Sequence, residues 1–146
     1  MDIHHRIGVV SDTTDHVFTA LTTVDGLAGW WTRDTTGDAS IGGKLELRFI
    51  PGGFDLEVIE VVAGELVRWT VLDGPDEWIG TTIEFRLSTS GDYTIVNFAH
   101  HGFAEWNEFL SHCSTKWASY LLSLKELVET GTGRPSPDDV QISDWH

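Results

Sequence analysis

The chain has 146 residues and sets 9 Lys+Arg against 23 Asp+Glu, a formal charge of −14. That length matches one domain at about 150 residues each. The acid excess excludes a nucleic-acid partner, because phosphate contacts need clustered Lys and Arg to displace counterions, and it excludes an anionic membrane surface. With 40% hydrophobic and 11% aromatic residues, the acidity marks a solvated surface rather than disorder.

No segment approaches the roughly 18 apolar residues of a membrane span. Met1 to Ser11 lacks a charged region followed by an apolar one, so no signal peptide is read there and a cytoplasmic location is expected. The one cysteine, Cys113, allows no intramolecular disulfide. Seven tryptophans are the unusual feature, and they raise the question of a cavity or a partner surface.

Ile3 to Val10 reads as a first strand. Ser11, Asp12 and Thr13 offer N-cap side chains, and Val17, Phe18, Leu21 and Val24 follow at helical spacing, giving a helix from about Thr14 to Thr23. Asp25-Gly26 is expected to break it before a second short helix from Leu27 to Trp31. From Lys44 the period becomes two, with Leu45, Leu47 and Phe49, then Phe54, Leu56 and Val58 on one face. The apolar phase slips at Val58-Ile59, which predicts a bulge or a strand covered on both faces. Strands through Val67 to Val71, Thr82 to Leu87 and Tyr93 to His100 complete an antiparallel meander joined by turns at Pro51-Gly52-Gly53, Ala63-Gly64, Asp73 to Asp76 and Ser88 to Asp92. After an aromatic loop with Phe103, Trp106 and Phe109, a long helix runs from about Ser111 to Thr130. Its apolar stripe is Trp117, Leu121, Leu124 and Val128, and Gly131 suits its C-terminal turn. The fold class is α+β, with residues 1–134 as the domain and residues 135–146 as a polar acidic tail.

Several stretches carry a family resemblance: Asp15 to Thr22, Trp30-Trp31, Gly42 to Leu45, Glu57 to Glu60, Leu66 to Thr70, Thr94 to His100 with Gly102-Phe103, and Trp117 to Leu127 with Gly131. In these, and in its order of elements, the chain resembles the START-like or SRPBCC superfamily, within it the heat-shock-protein-90 ATPase activator homologues. The resemblance implies a helix-grip fold, a curved antiparallel sheet of six or seven strands wrapped around the C-terminal helix. It therefore implies one further short strand near Thr35 to Ser40. Thr14 stands where the family often opens its first helix with Pro. The 146 residues leave no room for the extra N-terminal domain of the eukaryotic co-chaperones, so a chaperone partner is not expected.

The helix-grip architecture leaves space that side chains fill or a ligand occupies. The expected lining is Trp30, Trp31, Phe49, Phe54, Trp69, Trp78, Phe85, Phe98, His100, Trp106, Trp117 and Tyr120. The same rings serve equally as core. Trp30 and Trp31 are adjacent, so one is expected inside and the other at the sheet edge. His100 shares strand parity with Thr94, Val96 and Phe98, which turns it towards the helix as a weak candidate acid or base; no partner is visible. Arg48 and Arg68 are candidates to hold a carboxylate, although strand arginines usually pair across the solvated face. Cys113 reads as a small buried hydrophobe. The His doublets give no metal-ligand spacing, and no nucleotide-binding loop occurs, so neither metal nor cofactor is expected.

Three functions compete. The first is binding of a small hydrophobic or aromatic molecule, lipid-like or polyketide-like, between sheet and C-terminal helix. The second is a cyclase- or dehydratase-type enzyme in the same cavity, which needs two converging polar groups where the sequence offers little beyond His100. The third is a protein-interaction module resembling the heat-shock-protein-90 ATPase activator, which needs an exposed apolar patch that Trp106, Trp145 and the aromatic loop could supply; a homodimer could use the same patch. The sequence favours the first and names no reaction.

Overall fold

The structure, a computed structural model, describes residues 1–146. The strands are β1 (Ile3–Val10), β2 (Asp34–Gly37), β3 (Lys44–Arg48), β4 (Gly53–Val62), β5 (Leu66–Asp73), β6 (Thr82–Ser90) and β7 (Tyr93–His101). They form one sheet in the order β1-β7-β6-β5-β4-β3-β2, with every neighbouring pair antiparallel. Helices α1 (Asp15–Thr22) and α2 (Val24–Trp30) follow β1, and α3 (Glu108–Thr130) closes the fold. This is the helix-grip arrangement, and β2 is the short strand that the family resemblance implied.

The meander follows the alternation of its residues. In β3 only Leu45 and Leu47 are buried, and in β5 Trp69 and Val71 alternate with Arg68 and Thr70. The slip at Val58-Ile59 is a bulge: Val58 pairs with Trp69 and Glu60 with Arg68, leaving Ile59 without a partner. Ile59 is exposed, and the extra residue returns Val61 to the core side, where it is partly buried.

Helix boundaries differ from the sequence reading for identifiable reasons. Thr14 occupies the α1 N-cap without a side-chain cap. Asp25-Gly26 does not break the chain but lies in α2, whose N-cap is Thr23; the Thr23 hydroxyl accepts from the Gly26 N–H at 3.0 Å. Glycine is required there by close approach, because a Cβ on Gly26 would lie 2.6 Å from Ala20 Cα. Helix α3 begins three residues before Ser111, because the Asn107 side chain accepts from Leu110 N–H at 2.9 Å and Glu108 complements the helix dipole. It ends at Gly131, whose φ of 86° is the left-handed C-cap conformation.

The core sits between the concave face of the sheet and α3. Trp30 and Trp31 are both fully buried and stack on each other, with centroids 5.3 Å apart and planes 6° apart. A continuous helix would have turned adjacent side chains about 100° apart. Here α2 stops at Trp30, and the chain leaves it at Trp31, so both rings enter the core. The expectation of one inside and one at the edge is corrected accordingly. Trp30 anchors the pair by donating its indole N–H to Ala20 O at 2.9 Å. The same C-terminal end of α2 is fixed to α3 by the Ser123 hydroxyl, which donates to Trp30 O at 2.7 Å.

Residues 136–146 fold back across α3. Ser136 bridges to Thr32 and donates its N–H to Trp31 O at 2.9 Å. The Lys116 ammonium reaches Asp139 Oδ2 at 2.7 Å, Val140 O at 3.1 Å and His146 O at 2.9 Å. With the ion pair of Arg33 and Asp138, four connections from basic groups hold an acidic segment onto an acidic protein.

Candidate functional site

The space between sheet and α3 is unevenly filled. Beneath the middle of α3, Trp31 packs against Trp69 at 5.6 Å and against Trp117 at 5.2 Å. Phe85 meets Trp69 at 5.1 Å and Phe98 at 5.2 Å, and Phe98 meets Trp117 at 4.4 Å. These rings are all buried in one hydrophobic cluster. The open volume lies at one end instead, as a cleft of about 1010 Å³.

Four segments bound this cleft: the β3–β4 turn, the segment from Asp73 to Trp78, the first half of α3, and residues of the returning C-terminal segment. Its aromatic wall contains Phe49, Phe54, Trp78, Phe109, Trp117, Tyr120 and Trp145. Phe54 stacks on Trp78 at 4.3 Å and 12°, and Trp78 continues the stack to Trp117 at 6.0 Å and 13°. Phe49 lies 5.1 Å from Phe54 and 6.2 Å from Tyr120. The polar rim includes Arg48, Asp55, Asp73, His112, Lys116 and Asp139.

Of the residues expected to line a cavity, Phe49, Phe54, Trp78, Trp117 and Tyr120 reach the cleft. Trp30, Trp31, Trp69, Phe85, Phe98 and His100 do not; all are buried in the packed interior behind it. Trp106 is 65% exposed in the loop before α3 and lines no wall. Strand parity places a side chain on the inner face but does not say whether its neighbours close over it.

His100 does face inward, and it has partners after all. The Trp117 indole N–H donates to His100 Nδ1 at 3.1 Å. That donor assigns the ring proton to Nε2, which lies 2.8 Å from Thr81 Oγ1. The Thr81 hydroxyl in turn donates to Trp78 O. Burial, reinforced by the neighbouring charge of His101, pushes the His100 pKa down to about 3. The ring is therefore neutral, with both nitrogens committed, and it stands edge-on to Trp78 at 4.6 Å. It positions two cleft tryptophans rather than meeting a guest. Thr81 carried no signal in the sequence.

The other candidates are also occupied. The Trp78 indole N–H donates to Cys113 Sγ at 3.4 Å, and burial raises the thiol to about 11, so it is no nucleophile near neutral pH. Arg48, at the rim, donates to Asp55 Oδ1 at 2.8 Å. Arg68 lies on the outer face, paired with Glu60 and Glu84. No group of three His, Cys, Asp or Glu side chains converges as a metal site. His112 holds Ser143 at 2.8 Å and meets the Trp145 ring edge-on at 5.5 Å; burial and then Lys116 lower its pKa. The sequence reading did not foresee His112, Lys116 or Asp139 at the site. Lys116 and Asp139 are 23 residues apart, and only the path of the returning chain pairs them.

One polar atom is left over. The Trp31 indole N–H is buried with no hydrogen-bond partner. The Tyr120 hydroxyl beside it is held far above its ordinary pKa by burial, although the Trp31 N–H acts in the opposite direction. Tyr120 itself lines the cleft.

The comparisons with known proteins agree with this architecture. The Aha1 dimer from Colwellia psychrerythraea, a solution structure, is 41% identical with a TM-score of 0.83, covering 91% of this chain and 99% of that one. SSP2350 from Staphylococcus saprophyticus is 20% identical with a TM-score of 0.77, covering 93% and 98%. CalU16 from Micromonospora echinospora is 22% identical with a TM-score of 0.75, covering 93% and 77%. The latter two share the fold. None of the curated proteins matches. The model of the family described as Activator of Hsp90 ATPase homolog 1-like protein matches residues 13–129, and the chain belongs to that family.

Proposed function

We propose that the protein binds a small hydrophobic or aromatic molecule, lipid-like or polyketide-like, in the cleft at the end of α3. The observation that carries this reading is the aromatic wall, including Phe49, Phe54, Trp78, Trp117 and Tyr120, of a cleft of about 1010 Å³. Ligand sites for small molecules typically span about 300–1,000 Å³ and combine apolar walls with a few polar groups. Cyclase or dehydratase chemistry has less support, because His100 has no free nitrogen and the Cys113 thiol is held protonated.

The test is titration with a panel of apolar aromatics, read by tryptophan indole N–H signals in NMR. Binding in the cleft shifts Trp78, Trp117 and Trp145 saturably and leaves Trp30 and Trp69 nearly still. A flat response across the panel overturns the proposal, as does a response centred on Trp106.

Self-association is a second reading, and its support is the Aha1 dimer at 41% identity. Light scattering at micromolar concentration decides it: a dimer mass supports the reading, and a monomer mass across the concentration range rejects it.

A further inference from the structure

The aromatic wall of the cleft carries a phenol hydroxyl at Tyr120. Its hydroxyl belongs to a ring that lines the cleft. Directly behind it is the Trp31 indole, with ring centroids 5.9 Å apart. The Trp31 N–H is the one fully buried side-chain polar atom in the chain without a hydrogen-bond partner. A buried donor without a partner is destabilising, because it has lost water and gained nothing in return. Its ring is locked in a stack between Trp30 and Trp69, so it cannot turn to solvent.

The geometry points to Tyr120 as the polar contact that selects the ligand: its O–H donates to an acceptor oxygen, such as the carbonyl of an aromatic ketone or quinone, held in the cleft. Trp31 is the positioning residue behind it. The Trp31 N–H acts on the phenol oxygen without completing a hydrogen bond to it, which turns the phenol's own proton away from the indole and into the cleft. The phenol is then a donor towards the guest, and its hydrogen-bonding capacity is complete only when an acceptor is present. Burial holds its pKa well above the ordinary tyrosine value, so it is protonated near neutral pH. The Lys116 ammonium, 5.4 Å above the Tyr120 ring, is already spent on the returning chain and does not compete for the guest's oxygen.

This inference rests on the ligand reading above, and the experiment separates the two. The probes are 2-acetylnaphthalene and 2-isopropenylnaphthalene, which match in shape and differ in having a carbonyl oxygen or a methylene. Affinities are measured by calorimetry for the wild-type chain, Tyr120→Phe and Trp31→Phe. One hydrogen bond corresponds to about a 3- to 10-fold change in affinity. The ketone-to-hydrocarbon affinity ratio is expected to fall by that factor in Tyr120→Phe, while hydrocarbon binding stays within about twofold. Trp31→Phe is expected to lower the ratio part of the way by freeing the phenol to rotate. A ratio unchanged in Tyr120→Phe overturns the role of Tyr120 and leaves the ligand reading standing. Failure of both probes to bind the wild-type chain overturns both. Tyr120→Phe decides the matter even if Trp31→Phe fails to fold.

Discussion

Trp117 donates its indole N–H to His100 Nδ1 at 3.1 Å, joining the middle of α3 to the end of β7. The bond fixes the tautomer of His100, and the other ring nitrogen then meets Thr81. A histidine whose parity suggested chemistry is a buried neutral crosslink. His100→Phe keeps much of the ring volume but strands the Trp117 N–H and disturbs Thr81. The expected cost is about 1–3 kcal/mol of unfolding free energy. Chemical denaturation at neutral pH checks this, and a cost near zero would show that the crosslink carries no weight.

The same residue makes a pH prediction. Its folded pKa of about 3 lies below the model-peptide value of 6.5. The unfolded state therefore binds a proton first, and stability is full above about pH 6.5 and declines as pH falls from there towards 3. NMR titration of the ring should find His100 unprotonated at pH 5, and His100→Phe should flatten that part of the acid-side decline.

His101, one residue on, behaves in the opposite sense because it points outward. It bonds Asp2 at 2.9 Å and also reaches Glu84, whose side chain is only 9% exposed. The Asp2 bond, outweighing partial burial, raises the His101 pKa. Asp2 is lowered by His101 and by the Gly102 N–H. Burial pushes Glu84 up, but His101, Arg86 and Arg68 outweigh it and hold it below its usual value. The His101 contribution is present below the unfolded histidine pKa and is lost as pH rises through the raised folded value. The carboxylate contributions are present above the unfolded carboxylate pKa and are lost as pH falls through their lowered values. The cluster thus stabilises most between about pH 5 and 6.5. His101→Gln is expected to cost about 0.5–1 kcal/mol in that window and less at pH 9, a modest figure because the imidazole is about one-third exposed. Melting curves of the two proteins across pH test this; a penalty that grows with pH would contradict it.

Lys116 holds the returning chain with three bonds, to Asp139, Val140 and His146. Lys116→Met keeps the stem over Tyr120 and removes all three. Amide exchange in residues 138–146 should then quicken by about tenfold or more, while the sheet is unaffected. Equal exchange in the two proteins would mean that the segment is held by its other contacts, such as Ser143 to His112.

Gly26 sits where α1 and α2 nearly touch. Gly26→Ala should destabilise by about 1–3 kcal/mol despite alanine's better helix propensity, because its Cβ would meet the Ala20 backbone at 2.6 Å. A thermal melt reads the sign directly, and a stabilised variant would show that the two helices can part without cost.

Much of the fold was legible because its signals are local. Alternation in Lys44 to Phe49 and Leu66 to Val71 gave strands, the stripe from Trp117 to Val128 gave α3, and Gly131 marked its end. The phase slip at Ile59 announced the bulge. Strand β2 was not legible from Asp34–Gly37, which has no apolar alternation; only the family resemblance implied it. Asp25-Gly26 misled because glycine next to an acid usually signals a turn, whereas here it allows helix contact.

Apart from β2, the sequence by itself determined the order of elements and which faces turn inward, since both follow from residue periods of two and about 3.6. The acidic surface and the aromatic inventory were equally plain. Only the tertiary structure decided which inward rings fill the core and which border open space. Trp31, Trp69, Phe85 and Phe98 close on one another beneath α3, whereas Phe49, Phe54, Trp78 and Tyr120 open onto a cleft at its end. The two groups look alike in sequence, because packing joins residues distant along the chain, as in the bond from Ser123 to Trp30 across 93 positions. The same reason hid the return of residues 136–146 and left the Trp31 N–H to be found as the one buried donor without a partner.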